Sequence, residues 1–267
     1  MEKGTLYLLE EHSDFCMSFV ICSPEGEIIV IDGGHTEDAD YLSAFLGDRP
    51  VNTWIVTHAH PDHICAVNRI LADGTRKIGR FLYHFPPTDF VYAHEPLYAP
   101  HQEEFIRLAE ASGAQILHPV RGDCITCGSL KIHILMTTDP SYRSPVLNNH
   151  SLVFRIDSPR HRALFPGDLE PDGGDRLTEI TAAHPDELRA DIVQAAHHGH
   201  MSVARSVYER IRPEIALWCA PLWLYEEPET MIHPRMYGTK MTRKWLDEMG
   251  VRENHASGEG TCGICFD

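Results

Sequence analysis

One turn restricts this chain more than any other feature. The apolar run 51–56 leads directly into Thr57-His58-Ala59-His60-Pro61-Asp62-His63. A buried strand delivers its end to a fixed place, and the turn beyond it lets side chains converge on one point. Four potential metal ligands, His58, His60, Asp62 and His63, fall within six positions there. Imidazole and carboxylate together suit zinc, manganese or iron, and two ligand pairs in one run point to two ions.

The rest of the chain supplies a scaffold for such a turn. Apolar runs rich in β-branched and aromatic residues occur at 15–22, 28–31, 51–56, 80–85, 129–136, 151–156, 162–166, 191–196 and 214–219, each bounded by Gly, Pro, Asp or Asn. These predict strands. Helical spacing joins Tyr41, Leu42, Phe45 and Leu46, then Phe105, Leu108 and Ala109, then Val203, Val207 and Ile211, then Met241, Trp245, Leu246 and Met249. Strands in hairpin-like succession, followed by strands alternating with helices, predict sheets covered by helices on their outer faces. No linker-like or repeated stretch divides residues 1–267, so a single domain is expected.

Composition narrows the partners. The chain carries 23 Lys and Arg against 39 Asp and Glu, a net charge of −16, together with 18 histidines. Non-specific binding of long nucleic acid needs Lys and Arg to displace counterions, so a long strand held by surface charge is not expected. Arg143, Arg155, Arg160 and Arg162 cluster loosely and read as a solvated face. No run approaches a membrane span, and no signal segment opens the chain, so the expectation is a cytoplasmic protein with no membrane partner. Eight cysteines are too few for a disulfide-built fold. The spacings Cys124-Ile125-Thr126-Cys127 and Cys262-Gly263-Ile264-Cys265 resemble halves of a zinc site, but each sits beside strand-like sequence and reads as ordinary buried cysteine. The aromatic and histidine-rich stretch 81–101 is expected to form a lid or pocket wall. Oligomeric state is left open.

The run Thr57–His63 resembles the signature of the metallo-β-lactamase-fold hydrolases. Ile28–Gly34 resembles the strand and Asp-Gly turn preceding that signature, Leu164–Asp168 the strand ending in a bridging aspartate, and Asp191–Gly199 the strand bearing the last histidine ligand. Asn148–Phe154, Gly167–Glu170 and His197–Gly199 resemble more narrowly the hydrolase domain of ComEC-type competence proteins and its stand-alone relatives. The resemblance implies an α/β fold, a four-layer αββα sandwich with two sheets flanked by helices. It also implies two divalent metal ions, with zinc the first expectation and manganese or iron the alternatives. His58 and His60 would hold the first ion, Asp62, His63 and His198 the second, and Asp168 would bridge. The remaining first-site ligand is His150, or its place is taken by Asn149 or water. Of the adjacent pair, His198 is assigned to metal and His197 to its support, because successive side chains on an extended segment alternate faces. Asp32 would orient a ligand histidine through its other ring nitrogen.

The activity so implied is metal-dependent hydrolysis of a phosphodiester or other small phosphate ester. Two ions ~3.5–4 Å apart would share a water and make it a metal-bound hydroxide. Asp62 and Asp168 would be the catalytic carboxylates, and His233 would protonate the leaving group, with His200 a weaker candidate. Small molecules or short oligonucleotides are the expected substrates. Two alternatives stand beside this: lactone or lactam hydrolysis at the same site, and a regulatory metal-binding member of weak activity.

Overall fold

The computed structural model describes residues 1–139, 141, 145–227 and 237–267. Two seven-stranded sheets face each other. The first contains β1 (Thr5–Leu8), β2 (Ser18–Cys22), β3 (Ile28–Asp32), β4 (Val51–Ile55), β5 (Ile78–Leu82) and β6 (Gln115–Leu117) in sequence order, with the distant β14 closing the β1 edge. The second runs from β7 (Cys124–Cys127) through β8 (Leu130–Met136), β9 (Val153–Asp157), β10 (Arg162–Phe165), β11 (Ile192–Gln194) and β12 (Ile215–Trp218) to β13 (Glu253–Ala256). β14 is Cys262–Cys265. Each sheet is antiparallel on one side and parallel on the other: β3 to β6 run parallel, as do β10 to β13.

Helices cover both outer faces, which is why the central strands carry apolar residues on both faces. Along β3, Ile29 and Ile31 point to the second sheet while Ile28 and Val30 point outward. Phe19 and Phe165 meet between the sheets with ring centroids 5.2 Å apart. The first sheet's outer layer holds α1 (Ala39–Leu46), α2 (Pro61–Asp73), α3 (Thr88–His94) and α4 (Ala99–Ala111), packed over Trp54 and Phe81. A short α5 (Val146–Asn149) precedes β9. The second sheet is covered by α6 (Pro171–Ile180), α7 (Arg205–Ile211), α8 (Leu222–Glu226) and α9 (Thr239–Glu248), packed around Trp218. This is the expected sandwich of two sheets flanked by helices.

The expected strand 15–22 begins only at Ser18, because Phe15 sits in left-handed backbone (φ 62°) and bends the chain. β1, β6, β7, β13 and β14 escaped the sequence reading. All are three or four residues long, too short to show a period. A Cys-x-x-Cys on a strand puts its two thiols on opposite faces, so neither pair chelates as a unit. The thiols are all free, and the expectation of burial holds for Cys127 but fails for Cys124 and Cys265, which are exposed. No helix among the described residues is long and apolar enough to cross a membrane.

Candidate metal centre

Both sheets send the ends of their parallel strands to one place. In the first sheet β4 stops at Ile55 and α2 starts at Pro61, where a missing N–H costs nothing at the first helical position. The helix therefore carries Asp62 and His63, and the extended approach carries His58 and His60. Asp32 ends the neighbouring β3 with φ 52°, a conformation that Asp tolerates better than most residues. Its buried carboxylate accepts the Thr57 N–H at 2.8 Å, the Thr57 hydroxyl at 2.7 Å and His63 Nδ1–H at 2.9 Å. That anchor turns His63 Nε2 toward Oδ2 of Asp168 (3.2 Å) and of Asp62 (3.5 Å).

In the second sheet Asp168 follows β10 and donates its N–H to Ser151 Oγ at 3.1 Å. Beyond β11, His197, His198 and Gly199 are successively left-handed, at φ 48°, 56° and 85°. A Cβ on Gly199 would lie 2.3 Å from the Trp218 ring, so the turn needs glycine for both shape and space. Gln194 ties the two turns together, donating to the Gly167 carbonyl (3.0 Å) and accepting the Gly167 N–H (2.9 Å). His198 Nδ1–H donates to the Cys219 carbonyl at 2.8 Å, leaving Nε2 at 2.9 Å from Asp62 Oδ2 and 3.2 Å from Asp168 Oδ2.

Ligand atoms of Asp62, His63, Asp168 and His198 thus lie within 4.8 Å of one another, the one group of this kind among the described residues. Beside it, His58 Nε2 is 3.1 Å from His60 Nδ1, and the His58 and His63 rings are 4.0 Å apart. Burial opposes charge throughout. The carboxylates nevertheless overcome it at His63, whose pKa is held well above the imidazole range, and at His198, pushed up to about 10. Asp62 and Asp168 are correspondingly held below the carboxylate range by those histidines, while burial and His63 push His58 well down. Asp168 Oδ1 is buried and hydrogen-bonds to nothing. These residues fit a divalent cation: two Nε2 atoms and two carboxylates converge, each of the two histidines is pinned at Nδ1, and one carboxylate oxygen is left without a partner.

The open cavity beside this group has a volume of 400 Å³. Its wall includes Phe15, His35, Tyr98, Asn148, His197 and His200. Tyr98 comes from the 81–101 stretch, which thus contributes to the wall, and its ring lies 4.5 Å from His60. His197 faces Glu170, with Nδ1 2.7 Å from Oε1, and stands 4.0 Å from Asp168. The two histidines do diverge, but the left-handed turn separates them rather than strand alternation. His150, by contrast, is not on the cavity wall. Its Nδ1–H donates to the Val146 carbonyl at 2.5 Å, and its ring lies 5.8 Å from Phe90. Asn149 is also turned away, its Oδ1 accepting the N–H groups of Glu170 (3.0 Å) and Gly173 (3.1 Å). The helical phase of α5 instead gives the cavity Asn148, whose Oδ1 is buried with no partner. His35 was missed because it lies in sequence between Gly34 and an acidic stretch, with no ligand pattern around it. His233 and Arg143 lie outside the described residues.

Comparison with known proteins agrees with this fold. Over 172 residues the chain is 27% identical to ComE operon protein 3 of Bacillus subtilis, a match covering 64% of this chain and 20% of that protein. The chain therefore spans about a fifth of that relative's length. Among solved structures, the metallo-beta-lactamase fold protein YhfI from Bacillus subtilis superposes with a TM-score of 0.59 at 13% identity, over 97% of this chain and 99% of that one. CmlA from Streptomyces venezuelae, a diiron beta-hydroxylase, gives 0.62 at 12% identity over 99% of this chain and 54% of its own. Yeast PDE1 gives 0.58 at 10% identity over 99% and 100%. At such identities the likeness speaks for the fold alone. The sequence profile of one family, described as the metallo-beta-lactamase superfamily, matches residues 13–216, and with the sandwich and the strand-end cluster it places this chain in that superfamily.

Proposed function

We propose that this chain, a metal-dependent hydrolase of its superfamily, cleaves phosphodiesters or other small phosphate esters with two divalent cations. His58 and His60 would hold one cation, Asp62, His63 and His198 the other, with Asp168 between them and Asn148, whose partnerless Oδ1 belongs to a residue of the cavity wall, in the place first given to His150. The observation that carries the reading is the doubly faced Asp168: Oδ2 is 3.2 Å from two imidazole nitrogens and Oδ1 has no partner. Such ions, when bound, lower the pKa of water and polarise a phosphoryl oxygen.

The chain's own residues do the positioning. Asp32 and the Cys219 carbonyl fix the two imidazoles, and Gln194 fixes the separation of the two second-sheet turns. His35, His197 and His200 remain on the cavity wall to meet substrate oxygens. Among the described residues no Lys or Arg lines that wall, so an anionic substrate depends there on the cations for its attraction, and a short one suits this better than a long one. The same lack of Lys and Arg is the one observation favouring a second reading, an uncharged lactone or lactam.

The test is turnover by chain loaded with zinc or manganese, offered bis-p-nitrophenyl phosphate, dinucleotides, a lactone and a lactam. Phosphodiester cleavage that disappears in Asp168→Asn is expected. Intact phosphodiesters alongside lactone or lactam hydrolysis would transfer the site to the second reading.

A further inference from the structure

The far end of the second sheet, opposite the metal centre, carries a groove of 760 Å³ on the sheet's outer face. Five cations line it, Lys131, Arg155, Arg160, Arg162 and Arg189, against the two carboxylates Asp157 and Asp191. In a chain with only 23 Lys and Arg and a net charge of −16, this concentration is contrary to the general balance. Three of the five cations belong to the loose arginine group of the sequence, and the fold gathers them rather than spreading them over solvent.

Not all of that charge is available. Arg155 is buried, pairs with Asp157 through Nε (2.6 Å) and Nη2 (2.8 Å), and donates to the carbonyls of Asp186 and Glu187. Arg160 pairs with Asp267 at 2.7 Å, and Asp191 accepts the Arg162 backbone N–H. Arg155 thus neutralises Asp157, leaving Lys131 and Arg162 exposed on the rim, with Arg162 Nε 3.8 Å from Asp157. Arg189 Nη1, and Nδ1 of the further lining residue His161, are buried and hydrogen-bond to nothing. An unpaired buried donor costs ~1–3 kcal/mol, a cost that an acceptor in the groove would remove.

From this arrangement we infer a second binding site, separate from the metal centre, for a phosphate ester bearing two or more negative charges. Its size suits a small organic ligand or a short run of nucleotides, within the ~300–1,000 Å³ usual for such pockets. The site does not depend on what the metal centre hydrolyses.

His133 is the natural reporter. It lines the groove with Nε2 3.5 Å from Asp157, and burial together with Arg155, Lys131 and Arg162 keeps its pKa below the usual imidazole value. A bound polyanion offsets those cations and raises it. The test is a nuclear magnetic resonance titration of the His133 ring in the full chain, with inorganic pyrophosphate and, separately, 5′-phosphorylated tetrathymidylate. We expect a saturable response with a raised His133 pKa, weakened about tenfold in Lys131→Ala/Arg162→Ala, roughly two weak ion pairs' worth. The response should be unaffected in Arg69→Ala on the first sheet's helix α2. Turnover at the metal centre should be unchanged in the double variant, which separates this site from phosphate bound to metal. Tighter binding of the oligonucleotide than of pyrophosphate would identify the source as a strand, and the reverse a free phosphorylated metabolite. A His133 ring that answers neither probe, or answers equally in a folded double variant, overturns the inference.

Discussion

Single side chains decide whether the centre can form. Asp32 accepts three hydrogen bonds at once, and an Asn there would present an amide donor to Thr57 or to His63. Asp32→Asn should therefore weaken metal affinity ~10–100-fold with the fold intact, as measured by chelator competition. Glu11, in the loop between β1 and β2, has its carboxyl pushed up to about 7 by burial first, with Asp14 and Asp38 adding to it and a hydrogen bond from Ser257 and the charge of His198 opposing it. A carboxyl whose folded pKa is raised gives stability that is present below its unfolded value, near 4.5, and is lost as pH rises through 7. Denaturation between pH 4 and 8 should show that decline, and Glu11→Gln should flatten it; an unchanged slope in the variant would refute the assignment. The run His58 to His63 was legible at this scale because its donors are contiguous. His150 and Asn149 were the side chains weighed for the remaining place, but the helical phase of α5, which no local pattern announces, gives the cavity Asn148 instead.

Whole elements hold these residues by their ends. Asn149, at the end of α5, caps α6 from outside by accepting the N–H of Gly173 in its first turn and that of Glu170 just before it. Asn149→Ala should cost ~1 kcal/mol in urea denaturation, the usual price of a lost cap, with a smaller effect on metal affinity. The turn after β11 is less forgiving. Gly199→Ala would drive a methyl into Trp218 and impose a left-handed alanine, so a loss of ~1–3 kcal/mol or more is expected, with His198 displaced. The strands that flank the centre were legible because burial on both faces makes them mostly apolar. The edge strands β1 and β14 were not. Their pairing joins Thr5 to Cys265, a contact that no local pattern announces.

Across the whole molecule, the proposed ligand set is divided between two sheets. His58, His60, Asp62 and His63 stand on the first, Asp168 and His198 on the second. A cation there bonds the sheets to each other and binds only the folded chain. Removing it should lower the melting temperature, by the equivalent of ~2.7 kcal/mol where free metal had stood at 100 times its dissociation constant. Calorimetry with and without chelator measures this, and an unchanged transition would mean that the cluster holds no ion. The division also sets a schedule for synthesis. His58 to His63 leave the ribosome some 135 residues before His198, counting along the chain. Until β10 and β11 have been made and docked, a nascent chain presents only the first sheet's share of these side chains, so an ion that needs both shares can be held in full only after the two sheets have come together.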